Sequence, residues 1–212
     1  MKKIAILCIM VAALHLTACD KRDGDANKVS SSSTKNVIDD RHIGPFGLQW
    51  GSSLEGVMVE IGNNTEVLSS QNECPFVKVK TQKLPYGLNN KGETYKLMFL
   101  PENGEINFSG LMAVEYDYTT TDKEIYKIDF NDILKNLELK YGNPIEKKAD
   151  SEKSSLYVFE NGNRSVMLSG SGSDGVYFIW MIHAFVPKED KKEMSQIMDK
   201  IKLECQKQRN PL

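Results

Sequence analysis

The chain has 212 residues, of which 40% are hydrophobic and 26% are charged, and its formal net charge is -2 at pH 7. A chain of this length and composition can bury one sizeable core, as a single domain or as two small ones. Lysines and acidic residues are interleaved along the sequence and form no basic stripe, so nucleic acid is not predicted as a partner.

The first eighteen residues have the three-part layout of a secretory signal peptide. Lys2 and Lys3 come first, an apolar run from Ile4 to Leu14 follows, and small or mildly polar residues end the segment. The run is about ten residues long, whereas a transmembrane helix needs roughly 20, so it is predicted to direct export. Removing residues 1–18 takes two lysines from the 27 basic residues and leaves 25 against 29 acidic residues, a net charge of -4.

The signal peptide ends in Leu16-Thr17-Ala18-Cys19, which resembles the lipobox of bacterial lipoproteins. In that family a diacylglyceryl group is attached to the cysteine thiol, a dedicated peptidase cuts just before the cysteine, and the new amino group is acylated, with palmitate as one such fatty acid. The resemblance implies cleavage between Ala18 and Cys19 and attachment to a membrane through acyl chains on Cys19. Each buried methylene contributes about 0.8 kcal/mol, so the attachment would be stable. The alternative is a cysteine that merely follows a cleavage site.

The residues after Cys19 predict a membrane location and a flexible tether. In enteric bacteria the lipoprotein rule treats an aspartate at the position of Asp20 as a signal for the inner membrane, which implies the periplasmic face of that membrane; the outer membrane is the alternative. Residues 20–43 are nearly devoid of apolar side chains and contain four consecutive serines. We therefore predict that residues 19–43 form a flexible tether, which would reach on the order of 25 to 30 Å.

Four cysteines reduce to two once Cys8 leaves with the signal peptide and Cys19 carries lipid. In an oxidising compartment, Cys74 and Cys205 are predicted to form a disulfide, which would stabilise the fold by about 4 to 5 kcal/mol. The alternative is two separate thiols, with Cys205 a small apolar residue of a helix. The sequence contains no CxxC motif, which argues against a thioredoxin-like redox role.

The first half of the remaining chain predicts a helix followed by strands. Residues 45–51 read as a short strand that ends at a glycine turn. Ser52 and Glu55 have the spacing of a capping box, and Gly62 is the expected C-terminal stop of the helix. The apolar face of this helix comprises Leu54, Val57, Met58 and Ile61.

Three strand-like stretches follow, at residues 76–82, 95–100 and 111–118. The dipeptide Asn103-Gly104 between the second and third favours a tight hairpin turn, so these strands are predicted to be antiparallel neighbours. Alternation in the third stretch predicts one shared face for Met112, Val114, Tyr116 and Tyr118.

The second half repeats this order. Another helix is predicted to end at Gly142, and its apolar stripe comprises Phe130, Ile133, Leu134, Leu137 and Tyr141. Strands at 156–159 and 164–168 flank a predicted Asn161-Gly162 turn, and a long strand covers 176–186. A final helix is predicted from about residue 188 to 206, with one face formed by Met194, Ile197, Met198, Ile201 and Cys205.

The order of a helix and then several strands, met twice, predicts one α+β domain over residues 44–212. Its sheet would be antiparallel, with the helices packed on one face. The two halves, about 44–120 and 121–212, are a possible internal repeat. Chance is the alternative explanation, because Gly-Asn helix ends and Asn-Gly turns are common.

No motif in the sequence indicates catalysis, a metal or a cofactor. Gly170 to Gly175 satisfies GxGxxG, but a strand-like run follows where a dinucleotide site needs a helix, so we predict a flexible inter-strand loop. His42 and His183 lack metal-ligand spacing, and His183 is predicted to be a core residue. The aromatic residues of 116–118 and 177–180 could form a binding face, but core packing accounts for them better.

Two functional hypotheses follow. The first is a non-catalytic, lipid-tethered binding or accessory protein of the cell envelope, with an envelope protein or ligand as partner. An inhibitor or immunity protein against an envelope-directed hydrolase or toxin would belong to this class, because it needs only placement and surface complementarity. The alternative is an envelope hydrolase whose site is assembled only in the fold, with His183 or acidic residues converging in a cleft.

Overall fold

The structure is a computed structural model that describes residues 43–62, 67–73, 75–88, 91–102, 108–150, 154–186, 196, 199–203 and 207. The predicted signal peptide, the lipid attachment site at Cys19 with its cleavage position after Ala18, and the tether up to residue 42 lie outside the described residues. Cys74 and Cys205 also lie outside them. The lipid anchor, the tether and the disulfide therefore stay predictions.

One antiparallel sheet of eight strands dominates the fold, and two helices pack on it. Helix α1 is Leu54–Ile61 and helix α2 is Lys123–Tyr141. Residues 196, 199–203 and 207 are also helical, where the C-terminal helix was predicted. The strands are β1 Val67–Glu73, β2 Phe76–Thr81, β3 Thr94–Leu100, β4 Gly110–Thr120, β5 Glu146–Asp150, β6 Ser154–Asn161, β7 Arg164–Ser173 and β8 Val176–Phe185. The α+β class predicted from the sequence is confirmed.

The strand order is β1-β2-β3-β4-β8-β7-β6-β5. Each helix precedes a meander of four strands, and the two meanders join where the last strand of one pairs with the last strand of the other. This central β4–β8 register runs from Ala113 opposite Ala184 to Thr120 opposite Tyr177. The chain thus carries the predicted helix-then-strands order twice, arranged symmetrically about the centre of the sheet.

Helix α2 covers the centre of the sheet. The Asp122 side chain begins the helix by accepting hydrogen bonds from the backbone N–H groups of Glu124 and Ile125. The helix ends at Gly142 as predicted. The buried residues of its predicted stripe are Phe130, Ile133 and Leu137, with Leu134 and Tyr141 packed at the margin.

The start of the domain is not the strand predicted for residues 45–51. Pro45–Gly47 is a 3-10 turn, and only an isolated bridge joins Ile43 to Gln49. Phe46 and Gly47 have φ values of 57° and 81°, in the left-handed region that no strand residue adopts. The helix cap was also misplaced by one residue, because Ser53 and not Ser52 caps α1, its Oγ accepting from the Gly56 N–H at 3.0 Å.

Two strands were missed in the sequence, β1 and β5, and both are edges of the sheet. Their sequences, VLSSQNE and EKKAD, show no apolar alternation. An edge strand pairs on one side only, and lysines or glutamates on it discourage pairing with other chains. The charged residues that protect β5 from pairing with other chains therefore also remove the apolar alternation by which a strand is recognised.

The β6–β7 and β7–β8 hairpins use different turns. Asn161 pairs with Arg164, so the two loop residues are Gly162 and Asn163, and only Gly162 has a positive φ, as in a type II′ turn. The predicted Asn161-Gly162 turn is thus one residue out of place.

The GxGxxG stretch is not the flexible loop that we predicted. Gly170 and Gly172 belong to β7, and Asp174 and Gly175 form a two-residue turn into β8 with φ values of 53° and 77°, as in a type I′ turn. A Cβ at Gly170 would lie 2.5 Å from both Phe130 Cε2 and the Tyr126 hydroxyl. This glycine lets the rings of α2 approach β7, and its role is packing.

Candidate binding surface

The sheet has one face under α1 and α2 and one face opposite these two helices, which we call the open face. Successive side chains of β8 point alternately to these two faces. Ile179, Met181 and His183 point to the helices and are buried. Their neighbours Phe178 and Trp180 point to the open face, where Phe178 is 36% exposed and Trp180 is half-buried.

An apolar surface lies at the centre of the open face. Trp180 and Ile182 of β8 stand opposite Ser169 and Met167 of β7, and Met167 in turn stands opposite Val158 of β6. All of these side chains are half-buried. We call the set formed by Phe178, Trp180, Ile182, Met167, Val158 and Leu156 the apolar patch.

The exposed part of the open face does not extend over the whole sheet. Leu100, Ala113 and Ala184 also point to this side, and all three are buried. They lie toward the end of β8 that is occupied by Phe185, whereas Phe178 lies toward its beginning. The accessible end of the open face is therefore the end that carries Phe178 and Trp180.

A charged cluster borders the apolar patch on β3 and β4. The Lys96 ammonium lies between two carboxylates, 2.6 Å from Glu115 Oε1 and 2.7 Å from Asp117 Oδ2. The exposed fractions of the Glu115 and Asp117 side chains are only 15% and 21%. Glu115 is opposite Ile182 in the register, and Asp117 is opposite Trp180, so this acid–lysine triad adjoins the patch.

The triad carries one negative charge more than positive. Burial raises the pKa of Asp117, although the hydrogen bond from Lys96 opposes this. The pKa of Lys96 is raised because hydrogen bonds to Asp117 and Glu115 outweigh the burial that would lower it. The triad is thus a preorganised, partly desolvated acidic surface next to aromatic rings.

Aromatic residues of the sequence divide between the two faces. Tyr116 and Tyr118 are buried under the helices, and Tyr177 stacks on Tyr126 of α2 with ring centroids 5.2 Å apart, so core packing holds for these three. For Phe178 and Trp180 the core assignment is wrong, because strand alternation sends them to the open face. Glu115 and Asp117 could have identified the open face from the sequence, but this signal was missed. Two carboxylates at positions i and i+2 of an otherwise apolar strand lie on the same face, and that face is the more exposed one.

His183 lies on the covered face, as a core histidine. It is 7% exposed, and its ring centroid is 5.7 Å from that of Phe46 and 6.5 Å from that of Tyr141. Burial lowers its pKa to about 3, and the Lys140 charge adds to this. His183 is therefore uncharged at neutral pH. His183 thus packs against aromatic rings and is not exposed in a cleft.

Within the described ranges, no group of three or more His, Cys, Asp or Glu side chains is placed to hold a metal ion. Among those same residues, no helix is long and apolar enough to cross a membrane. Comparison of the chain with protein-family models, with curated protein sequences and with solved structures found no match.

Proposed function

We propose that this chain is a lipid-anchored lipoprotein of the bacterial cell envelope that binds a protein partner through the open face of its sheet. The single observation that carries the binding role is the apolar patch beside the acid–lysine triad, on the face that α1 and α2 leave uncovered. The location rests on the resemblance of Leu16-Thr17-Ala18-Cys19 to a lipobox.

The chemistry of the surface suits a protein partner. Partly exposed tryptophan and phenylalanine side chains are enriched in protein interfaces, because they remove large apolar areas from water. Here they are held by a central strand that pairs on both sides, so little ordering is needed on binding. The excess negative charge of the triad calls for an arginine or lysine on the partner, beside an apolar contact.

An inhibitor or immunity protein is one concrete form of this role. Such a protein needs no catalytic group of its own, only a rigid complementary surface at the right location. The predicted tether on Cys19 would hold the domain within on the order of 30 Å of the membrane, where an envelope hydrolase or toxin acts. We infer binding in preference to catalysis because the open face presents an apolar patch beside charged groups, whereas His183 is buried on the covered face.

Affinity capture from detergent-solubilised membranes tests the binding role. The baits are the wild-type protein, Trp180→Ala and Asp117→Asn, with Ile128→Ala as a control, since Ile128 is 60% exposed on α2 and lies off the open face. We expect wild type and the control to recover the same protein, and the two open-face variants to lose at least about tenfold in affinity for it. Recovery of no specific protein under several growth conditions, or undiminished binding by Trp180→Ala and Asp117→Asn, contradicts the proposal.

The location is tested separately by intact mass and membrane fractionation of wild type and Cys19→Ala. We expect the wild-type protein to begin at Cys19, to carry acyl mass and to sediment with membranes, and the variant to lose all three properties. A variant that sediments like wild type contradicts the anchor and leaves the binding surface to be judged by the capture experiment alone.

A further inference from the structure

The segment between β2 and β3, residues 82–93, carries exposed apolar side chains, and we call it the β2–β3 loop. The Tyr86 side chain is 75% exposed, and the Leu88 side chain is 38% exposed. The backbone at Leu88 is fixed, because its N–H donates a hydrogen bond to the hydroxyl of the buried Tyr95 at 2.8 Å. These two side chains are therefore displayed to solvent by a backbone that is attached to the core.

The loop packs against the first residues of the domain. A Cβ at Gly47 would lie 2.3 Å from the Tyr86 ring, so the absence of a side chain at Gly47 lets that ring lie on its backbone. The neighbouring Phe46 packs on Tyr95 with ring centroids 5.2 Å apart, on the covered face. Ile43, which begins the domain, is itself 44% exposed. The exposed loop thus lies beside the segment at which the predicted tether joins the domain.

The charges of the loop favour an anionic surface. Residues 82–92 contain two lysines, Lys83 and Lys91, both of them exposed, and no acidic residue. Glu93, which ends the loop, is only 6% exposed. Residues 39–41 of the tether are two aspartates and one arginine, a net charge of -1, so one positive charge remains in excess. The open face differs, because its acid–lysine triad has an excess of negative charge.

An exposed tyrosine with a leucine beside it and lysines on both sides suits a membrane surface. Tyrosine side chains are enriched at the level of the lipid headgroups, because the ring is apolar and the hydroxyl is polar. Each lysine close to an anionic bilayer strengthens binding by about fivefold. A tether that reaches on the order of 25 to 30 Å allows the start of the domain to touch the membrane to which Cys19 is predicted to be attached.

We propose that the β2–β3 loop docks on the surface of an anionic phospholipid bilayer, with Tyr86 and Leu88 at the headgroup level and Lys83 and Lys91 beside lipid phosphates. The inference rests on the proposed lipid anchor, which supplies the bilayer. Docking turns the covered side of the domain toward the membrane. The open face, whose excess negative charge an anionic bilayer repels, is left to its protein partner.

Fluorescence quenching by phospholipids with brominated acyl chains tests the contact. The full-length protein is reconstituted into vesicles of phosphatidylcholine and phosphatidylglycerol after its acyl chains have been established by intact mass. A protein without acyl mass contradicts the anchor, whereas an acylated protein whose loop stays in water contradicts the docking, so the two failures are distinguishable.

Two variants each add one tryptophan at an exposed position, Tyr86→Trp in the loop and Leu139→Trp as the control. Leu139 is a suitable control because of its place on α2. A Cβ at Gly92 of the loop would lie 3.9 Å from the Thr119 carbonyl oxygen, just before α2 begins, and Leu139 lies about 24 Å further along that helix. After subtraction of the wild-type emission, we expect bromine to quench the tryptophan of Tyr86→Trp and to leave that of Leu139→Trp unquenched.

The role of the lysines is tested in the Tyr86→Trp protein. Lys83→Gln and Lys91→Gln together are expected to lower the equilibrium constant for docking about 25-fold, about fivefold for each charge. Vesicles of phosphatidylcholine alone should have the same effect. Lys135→Gln, which removes an exposed charge from α2, should leave the quenching unchanged. Quenching that is absent, that is equal at the two tryptophan positions, or that the double lysine variant retains in full overturns the proposal.

Discussion

Strand β8 contributes residues of similar composition to both faces of the sheet, but the two sets differ in burial. Ile179, Met181 and His183 are buried under the helices, whereas Phe178 and Trp180 remain partly exposed on the open face. Hydrophobicity does not distinguish the two sets, because both are apolar or aromatic. The difference is the cover, since Val57 of α1 and Phe130 of α2 pack in the core together with Ile179 and Met181. A strand of this kind contributes stability with one set of residues and a contact surface with the other.

The largest expected difference between the faces concerns two leucines on neighbouring strands. Leu168 of β7 is fully buried in the core, and Leu156 of β6 is half-buried on the open face. We expect Leu168→Ala to lower the free energy of unfolding by about 2 to 5 kcal/mol, because it leaves a cavity. Leu156→Ala should cost less than about 1.5 kcal/mol. Equilibrium urea unfolding measures both, and equal losses would show that both faces are covered.

The second difference is a pH dependence that comes from the buried imidazole of the covered face. His183 has a folded pKa of about 3 against 6.5 unfolded, so the unfolded chain binds a proton that the folded chain does not. Its contribution is complete above pH 6.5 and is lost as the pH falls toward 3, amounting to about 2 kcal/mol by pH 5. We expect His183→Leu to lose less stability than the wild-type protein on going from pH 7.5 to pH 5. Parallel pH profiles for the two proteins would refute the burial of a neutral imidazole.

A third comparison uses adjacent residues of β7. A methyl group at Gly170 meets the Phe130 ring and the Tyr126 hydroxyl at 2.5 Å, whereas Ser169 points to the open face. We expect Gly170→Ala to destabilise the fold by about 1 to 3 kcal/mol through displacement of α2. Ser169→Ala is expected to change stability by no more than about 0.5 kcal/mol. Thermal and urea unfolding measure both variants. If Gly170→Ala is no less stable than Ser169→Ala, α2 does not pack tightly on β7 at this position.

The smallest expected effect on stability belongs to the triad. Lys96→Met removes the cation between Glu115 and Asp117, but the pairs are partly exposed, so we expect a loss of about 1 kcal/mol or less at pH 7. The same variant exposes two uncompensated carboxylates to the partner and is expected to make its association rate more sensitive to salt. A loss above about 3 kcal/mol would show that the triad is structural and not part of a contact surface.

Particular elements show how far the sequence reaches. Helix α2 was predicted from its apolar stripe and from Gly142, and β2, β3, β4, β6 and β8 from apolar runs, because these signals are local. The edge strands β1 and β5 were missed, because their composition serves to resist further pairing. The GxGxxG stretch was misread as a loop, because Gly170 makes room for the rings of Phe130 and Tyr126 on α2, which are distant in the sequence.

The candidate surface, too, was only partly predictable from local signals. The local pattern located the aromatic residues of β8 but could not tell which of them belong to the core. Period-two alternation divides the side chains of a strand between two faces, but it does not show which face another layer will cover. The triad needs the β3–β4 register, which places Lys96 opposite Glu115. The sequence by itself predicted α1, α2 and the apolar strands, and the lipid address stays a prediction from it, since each of these signals depends on neighbouring residues. Only the tertiary structure decided which face is open and which charges meet, because strand pairing and helix packing bring together residues that the chain keeps apart.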